Sequence, residues 1–303
     1  MTEDQARTRA GLFMGLGAYL LWGVLPLYFI AIAHVNPVEI VAHRILWSLI
    51  FLGALATFWK RWPAIRAAIA NRRVLLTLAA TAVLIGVNWL VYIWAVLNGH
   101  VLAGSLGYYL NPLVNVLLGV LLLKERLTKG QMAAVALAGA GVAVLALGAG
   151  SGLWISLTLA FSFATYGFLR KVAPVDSLEG LSIETAILAP IALGWVLWLT
   201  GQGQSGLGMG PLTTLLLVLA GGITAIPLLL FTAAAKRLPY STLGFLQYIA
   251  PSLQFLLAVL VFGEKLTTAH LVCFGAIWAA LVIFTFEGVR LGRAAAKARA
   301  AAF

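Results

Sequence analysis

The sequence predicts an all-α polytopic membrane protein: ten transmembrane helices as two inverted five-helix repeats, with both termini cytoplasmic. Three observations lead there. The 303 residues are 62% hydrophobic and only 10% charged, where a soluble domain carries about 25% charged residues. The apolar residues gather into ten runs, 11–33, 39–59, 73–96, 102–123, 130–148, 152–169, 180–200, 212–234, 240–262 and 268–286. A run of about 20 mainly apolar residues is what crosses the hydrocarbon core. Finally, the stretch 105–128 recurs 139 residues downstream. Pro112 maps to Pro251, Tyr109 to Tyr248, Glu125 to Glu264, Leu127 to Leu266 and Thr128 to Thr267, while Tyr108 and Asn115 map to Gln247 and Gln254. Several matches under one offset indicate an internal repeat.

Five spans per half is an odd number, so the second half enters the membrane from the opposite side. The expected organisation is a cytoplasmic N-terminus (1–10), a first repeat (11–148), a second, inverted repeat (152–287) and a basic cytoplasmic tail (288–303). Inverted repeats of this kind build a midplane site flanked by two gates.

The net charge of +11 is a topology signal. With the N-terminus inside, 18 of the 20 Lys and Arg residues fall in inside segments, Lys265 alone lies on an outside loop, and Arg44 falls within the second span. Such a bias orients the chain and favours anionic lipid headgroups; it gives no reason to expect nucleic acid. Cys273 is the only cysteine, which excludes an intramolecular disulfide and reads as a small buried hydrophobe in the tenth span. No paired-His zinc motif, phosphate loop or ATP-binding domain occurs, so neither a metal nor a cofactor is expected.

Along the chain, the first span carries Trp22 and then Pro26, a kink in its outer half. The sixth has Tyr166-Gly167 at a comparable depth. The inside loop 60–72, basic and holding Pro63, suits a short helix on the membrane surface. In the third span Asn88 and Tyr92 share a face, with Trp89 beside them. The fourth presents a polar and small stripe, Gly104, Tyr108, Asn111, Asn115 and Gly119, which the ninth answers with Gly244, Gln247, Pro251 and Gln254. Amide groups facing lipid would go unsatisfied, so the two stripes should face each other across a cavity. The fifth and tenth spans are rich in Gly and Ala, which lets helix backbones approach closely. That suits packing within the monomer better than a homodimer face.

Gly201-Gln202-Gly203-Gln204-Ser205-Gly206 satisfies a dinucleotide fingerprint, but no strand precedes it and it falls in a polar outside turn. Membrane-embedded charges carry more information, because they are costly. Arg44 lies near the outside end of its span and Glu184 near the inside end of the seventh. Inverted symmetry suggests gating pairs, Arg44 with Glu264 outside and Glu184 with Lys124 or Arg126 inside. His43 and His100 could titrate near neutral pH and couple protons.

The residues Trp22-Gly23, Pro26, Tyr28, Glu39, His43-Arg44, Asn88-Trp89, Tyr92, His100, Tyr108, Asn111-Pro112, Glu125-Arg126-Leu127, Tyr166-Gly167, Glu184, Thr224, Pro227, Gln247-Tyr248, Pro251 and Glu264 together resemble the drug/metabolite transporter superfamily. Within it, the pattern is similar to the ten-helix EamA-type permeases, RarD-like branch, whose members are named for chloramphenicol sensitivity. The resemblance covers about 11–287. It implies a central cavity between two repeats, peripheral fifth and tenth helices, and export of amino acids or other metabolites.

The expected function is therefore a secondary transporter that exports small metabolites, amino acids or similar amphipathic, drug-like compounds, across the bacterial cytoplasmic (inner) membrane by alternating access. A lipid flippase or membrane-embedded enzyme is the competing class. Solute contact is expected from Trp22, Asn88, Trp89, Tyr92, Tyr108, Asn111, Asn115, Tyr166, Gln247, Tyr248 and Gln254, and bending from Pro26, Pro112, Pro227 and Pro251. The partners are then a small-molecule solute and membrane lipids, for a monomer or homodimer.

Overall fold

The computed structural model describes residues 3–98, 100–147, 152–261 and 268–300. They form α1 (Glu3–Ala31), α2 (Pro37–Phe58), α3 (Trp62–Ala70), α4 (Arg72–Leu97), α5 (Val101–Leu121), α6 (Lys129–Ala146), α7 (Leu153–Val172), α8 (Ser177–Gly201), α9 (Pro211–Ala235), α10 (Tyr240–Gln247), α11 (Ile249–Leu260) and α12 (Thr268–Ala300). No strand occurs among the described residues. Prolines mark several starts: α2, α3 and α9 each carry one in the first two positions, where the missing N–H has no partner to lose.

Seven helices, α1, α2, α4, α7, α8, α9 and α12, are long and apolar enough to cross a membrane, and α5 and α6 hold shorter apolar segments. The run 240–262, expected as one span, is two helices in line, α10 and α11, broken at Tyr248. Pro251 lacks the N–H that would bond the Gln247 carbonyl, and the Tyr248 N–H turns instead to the Phe245 carbonyl at 3.2 Å. Loop 60–72 forms α3 as expected, with Ile65 and Ala68 buried.

The packing traces a closed ring. α1 lies on α9, α9 on α2, α2 on α8, α8 on α4, α4 on α7, α7 on α5, α5 on α10, and α11 returns to α1. Outside this ring, α6 and α12 pack on each other, and α6 also touches α5. Small residues permit that pairing: a Cβ added to Gly141 would come within 2.7 Å of the Ala276 Cβ. Cys273 sits in the same contact, fully buried.

Hydrogen bonds fix which helix ends lie together. At the end holding the N-terminus, Arg7 donates to the Lys236 carbonyl (3.1 Å), Lys171 Nζ to Ala235 (2.7 Å) and Lys236 Nζ to Ala173 (2.7 Å). At the far end, Tyr28 donates to the Leu216 carbonyl (3.1 Å), His34 meets Thr213 (2.9 Å), and Glu39 accepts from Ser205 Oγ (2.9 Å) and the Gly206 N–H (2.7 Å). The glycine-rich turn thus clasps the head of α2. Its Gly203 and Gly208 have φ of 67° and 91°, left-handed conformations that favour glycine.

The N-terminal half of the ring is filled with aromatic side chains. Tyr19, Tyr166, Phe231 and Tyr240 are all 0% exposed. Tyr19 donates to the Leu243 carbonyl (3.1 Å) and Tyr240 to that of Ala164 (2.5 Å). Those bonds tie α1 and α7 to α10 and satisfy two hydroxyls that burial would otherwise strand.

Candidate functional site

Two charged centres stand inside the ring, one in each half. The far-end centre is built on Arg44, in the second turn of α2. Its Nε donates to Thr224 Oγ1 on α9 at 2.8 Å. Its guanidinium carbon lies 5.6 Å from the Phe29 ring of α1 and 5.2 Å from the Trp89 ring of α4, within the range of cation–π attraction. Tyr28, Tyr92 and Tyr108 are in electrostatic reach. Side chains of α1, α2, α4, α5 and α9 therefore converge on this guanidinium. Arg44 is only partly buried.

Neighbouring side chains give the ring interior an aromatic wall. Tyr92 and Tyr108 meet edge to face, centroids 5.6 Å apart. Trp22 is half-buried and touches Phe163 and Phe231 at 5.8 and 5.7 Å. Gln254 donates to the Trp22 carbonyl at 3.0 Å. Trp89, Tyr92 and Tyr108 are thus the expected contact residues that keep exposed surface near Arg44, while Trp22 and Gln254, also partly exposed, sit against the Phe163 and Phe231 cluster.

The other expected contact residues are tied up between helices. Asn88 donates to the Leu159 carbonyl (2.9 Å) and Ser162 Oγ (3.0 Å), and Asn111 to the Ala160 carbonyl (3.0 Å). Asn115 and Gln247, expected to face each other across a cavity, instead bond directly, Nδ2 to Oε1 at 2.8 Å. Glycine explains the closeness: a Cβ on Gly244 would stand 2.8 Å from the Pro112 carbonyl and 2.9 Å from the Asn115 Cβ. Tyr166 and Tyr248 are wholly buried. Glu125, which closes the first repeat's motif, accepts from the backbone N–H groups of Tyr240 (2.5 Å) and Ser241 (2.9 Å) and so caps α10 from the loop between α5 and α6.

The N-terminal centre corrects the expected inside pair. Glu184 does not meet Lys124 or Arg126, which are both exposed beyond the end of α5. Its partner is Arg170 of α7, whose Nε lies 3.5 Å from Glu184 Oε1. Thr81 of α4 donates to the same carboxylate at 2.5 Å and Tyr166 at 3.4 Å. Arg170 also donates through Nη2 to the carbonyls of Ser177 (3.1 Å) and Asp176 (3.4 Å) at the start of α8. Gly180 makes room, since a Cβ there would overlap the guanidinium. Arg170 reads in the sequence as one more inside cation beside Lys171. Its four-residue spacing from Tyr166, on one helical face, was the available signal.

Glu264, the expected partner of Arg44, lies outside the described residues. His43 sits 3.5 Å from Glu39, and His100 stacks on Trp94 with centroids 5.5 Å apart. Pro26, Pro112 and Pro227 lie within helices, as does Pro190 of α8, which the sequence reading did not single out. Pro251 occupies the first turn of α11. Among the described residues no group of three or more His, Cys, Asp or Glu gathers to hold a metal.

The EamA-like transporter family model matches residues 9–147. A Vibrio cholerae protein described as an uncharacterized transporter is 46% identical over 300 residues, 99% of each chain. Protein RarD of Escherichia coli is 45% identical over 295 residues, 97% of this chain and 100% of that one. A solved crystal structure shares the fold, with a TM-score of 0.73 at 20% identity over 92% of this chain and 98% of its own. On these relatives and this helical bundle, the chain belongs to the EamA-like transporter family as a RarD-like, multi-pass membrane transporter of the drug/metabolite transporter superfamily.

Proposed function

We propose that this transporter exports small amphipathic metabolites, amino acids or similar drug-like compounds, across the bacterial cytoplasmic membrane by alternating access. The observation that carries the reading is the asymmetry of the ring interior: partly open and aromatic around Arg44, filled by buried tyrosines and Phe231 in the other half. With the basic N-terminal end in the cytoplasm, the half that holds Arg44 is the outward one.

The contacts support two inverted repeats, 11–148 and 152–287. Exchanging α1 with α7, α2 with α8, α4 with α9, and α5 with the α10–α11 pair turns every contact of the ring into another contact of the ring. Rocking one repeat on the other would then expose the ring interior to each side in turn, with Pro26, Pro112, Pro227 and the break before Pro251 absorbing the bends. Pairing of α6 with α12 inside one chain supports a monomer.

Purified protein in liposomes, given a mixed panel of amino acids and aromatic drugs with and without a pH gradient, tests this. Saturable flux of at least one solute is expected. Movement of fluorescent lipid with no solute flux would replace the reading with a flippase.

A further inference from the structure

We infer that Arg44 is the anchor for a carboxylate on the transported solute. The inference rests on the transporter reading and names the chemical group that its site recognises.

A guanidinium within a membrane bundle is costly unless its charge is answered. Arg170 shows how this chain answers one internally, with a carboxylate and two carbonyls. Among the described residues Arg44 has no carboxylate partner, and the polar bond it makes there is Nε to Thr224. The Phe29 and Trp89 rings offset part of the cost but supply no acceptor. They and Thr224 also hold the guanidinium in place, so that its terminal amino groups are left for something entering the ring. Those groups make a planar fork that fits a carboxylate in two parallel hydrogen bonds.

The surroundings narrow the solute further. A single cation neutralises a single negative charge, which suits a carboxylate better than a doubly charged phosphate. The Trp89 ring is beside the guanidinium and Tyr92 and Tyr108 lie within its electrostatic reach; such walls favour an aromatic or aliphatic body. The solute class is therefore amphipathic monocarboxylates, zwitterionic amino acids among them.

The test is equilibrium binding of phenylacetate and of its uncharged isostere phenylacetamide to the purified protein by calorimetry. The wild type should bind phenylacetate roughly 10- to 100-fold more tightly than the amide, the span expected for hydrogen bonds to a charged group. Arg44→Gln should abolish that preference, lowering acid affinity far more than amide affinity, and the remaining amide binding reports that the variant is folded. Arg44→Lys, keeping the charge without the fork, should retain a fraction of it. Equal affinities for acid and amide in the wild type overturn the assignment without use of any variant, as does a preference that survives Arg44→Gln. The two readings fail separately: absence of flux for the whole solute panel overturns the transporter reading, whereas flux without acid preference overturns only the role of Arg44.

Discussion

The two halves of the ring each take in an arginine, and they treat it oppositely. Arg170 is fully buried and meets Glu184 and the first carbonyls of α8. Arg44 keeps part of its surface, meets aromatic faces and a threonine, and has no described acid. The surrounding architecture is alike. A threonine on α4 bonds the charged residue of α8, and a threonine on α9 bonds that of α2, which the repeat exchange makes equivalent contacts. One site is enclosed and charge-paired, with Arg170 Nε and Nη1 making no hydrogen bond of their own, and belongs to the scaffold. The other has no carboxylate among the described residues, which is what an anion-binding site needs. Burial depth alone would have ranked them the wrong way round.

Deleting each guanidinium is the strongest way to break this comparison. Removing one partner of a buried pair strands the other charge and costs about 3–5 kcal/mol. Arg170→Met should therefore lower the unfolding midpoint in detergent sharply, and adding Glu184→Met should recover much of the loss. Arg44→Met strands nothing among the described residues, so its stability should stay within about 1 kcal/mol of wild type. Equal losses at the two positions would mean that Arg44 is scaffold as well.

Next in size is Gly180→Ala. The added Cβ would overlap the Arg170 guanidinium, so the arginine must shift off its carbonyls or α7 must move from α8. Overpacking of this kind costs about 1–3 kcal/mol, read by the same unfolding measurement. An unchanged midpoint would show that Arg170 can relocate freely, and the N-terminal centre would lose its claim to be a fixed lock.

Much of this molecule is legible in the sequence, because hydrocarbon imposes a length and an apolarity that composition reveals directly. The ten runs coincide with α1, α2, α4–α9, the α10–α11 pair and α12, and the glycine- and alanine-rich fifth and tenth spans do pack on each other. Partners were harder to read. Periodicity puts Asn88, Asn111 and Asn115 on polar faces but cannot tell an open cavity from a neighbouring carbonyl, and the structure supplies Leu159, Ala160 and Gln247 as partners. Arg170 was missed because an arginine at the expected inside end of a span reads as an ordinary topological signal. Its inward direction depends on Gly180, ten residues on and in the next helix.

The finest comparison lies in the two threonines. Thr81 gives its hydroxyl to a fully enclosed carboxylate. In Thr81→Val the lost donor cannot be replaced by water, and a cost of about 1–2 kcal/mol follows. Thr224 bonds the Nε of an arginine whose surroundings are partly open. Thr224 is itself buried, but the guanidinium keeps exposed surface that water can reach, so Thr224→Val should cost less than Thr81→Val, under about 1 kcal/mol in stability. Its effect should appear instead in recognition, because a guanidinium freed from Thr224 no longer presents its fork in one direction. The preference for phenylacetate over phenylacetamide should fall severalfold while amide affinity holds. If Thr224→Val destabilises the protein as much as Thr81→Val, the Arg44 centre is as closed as its counterpart, and the solute must be anchored elsewhere.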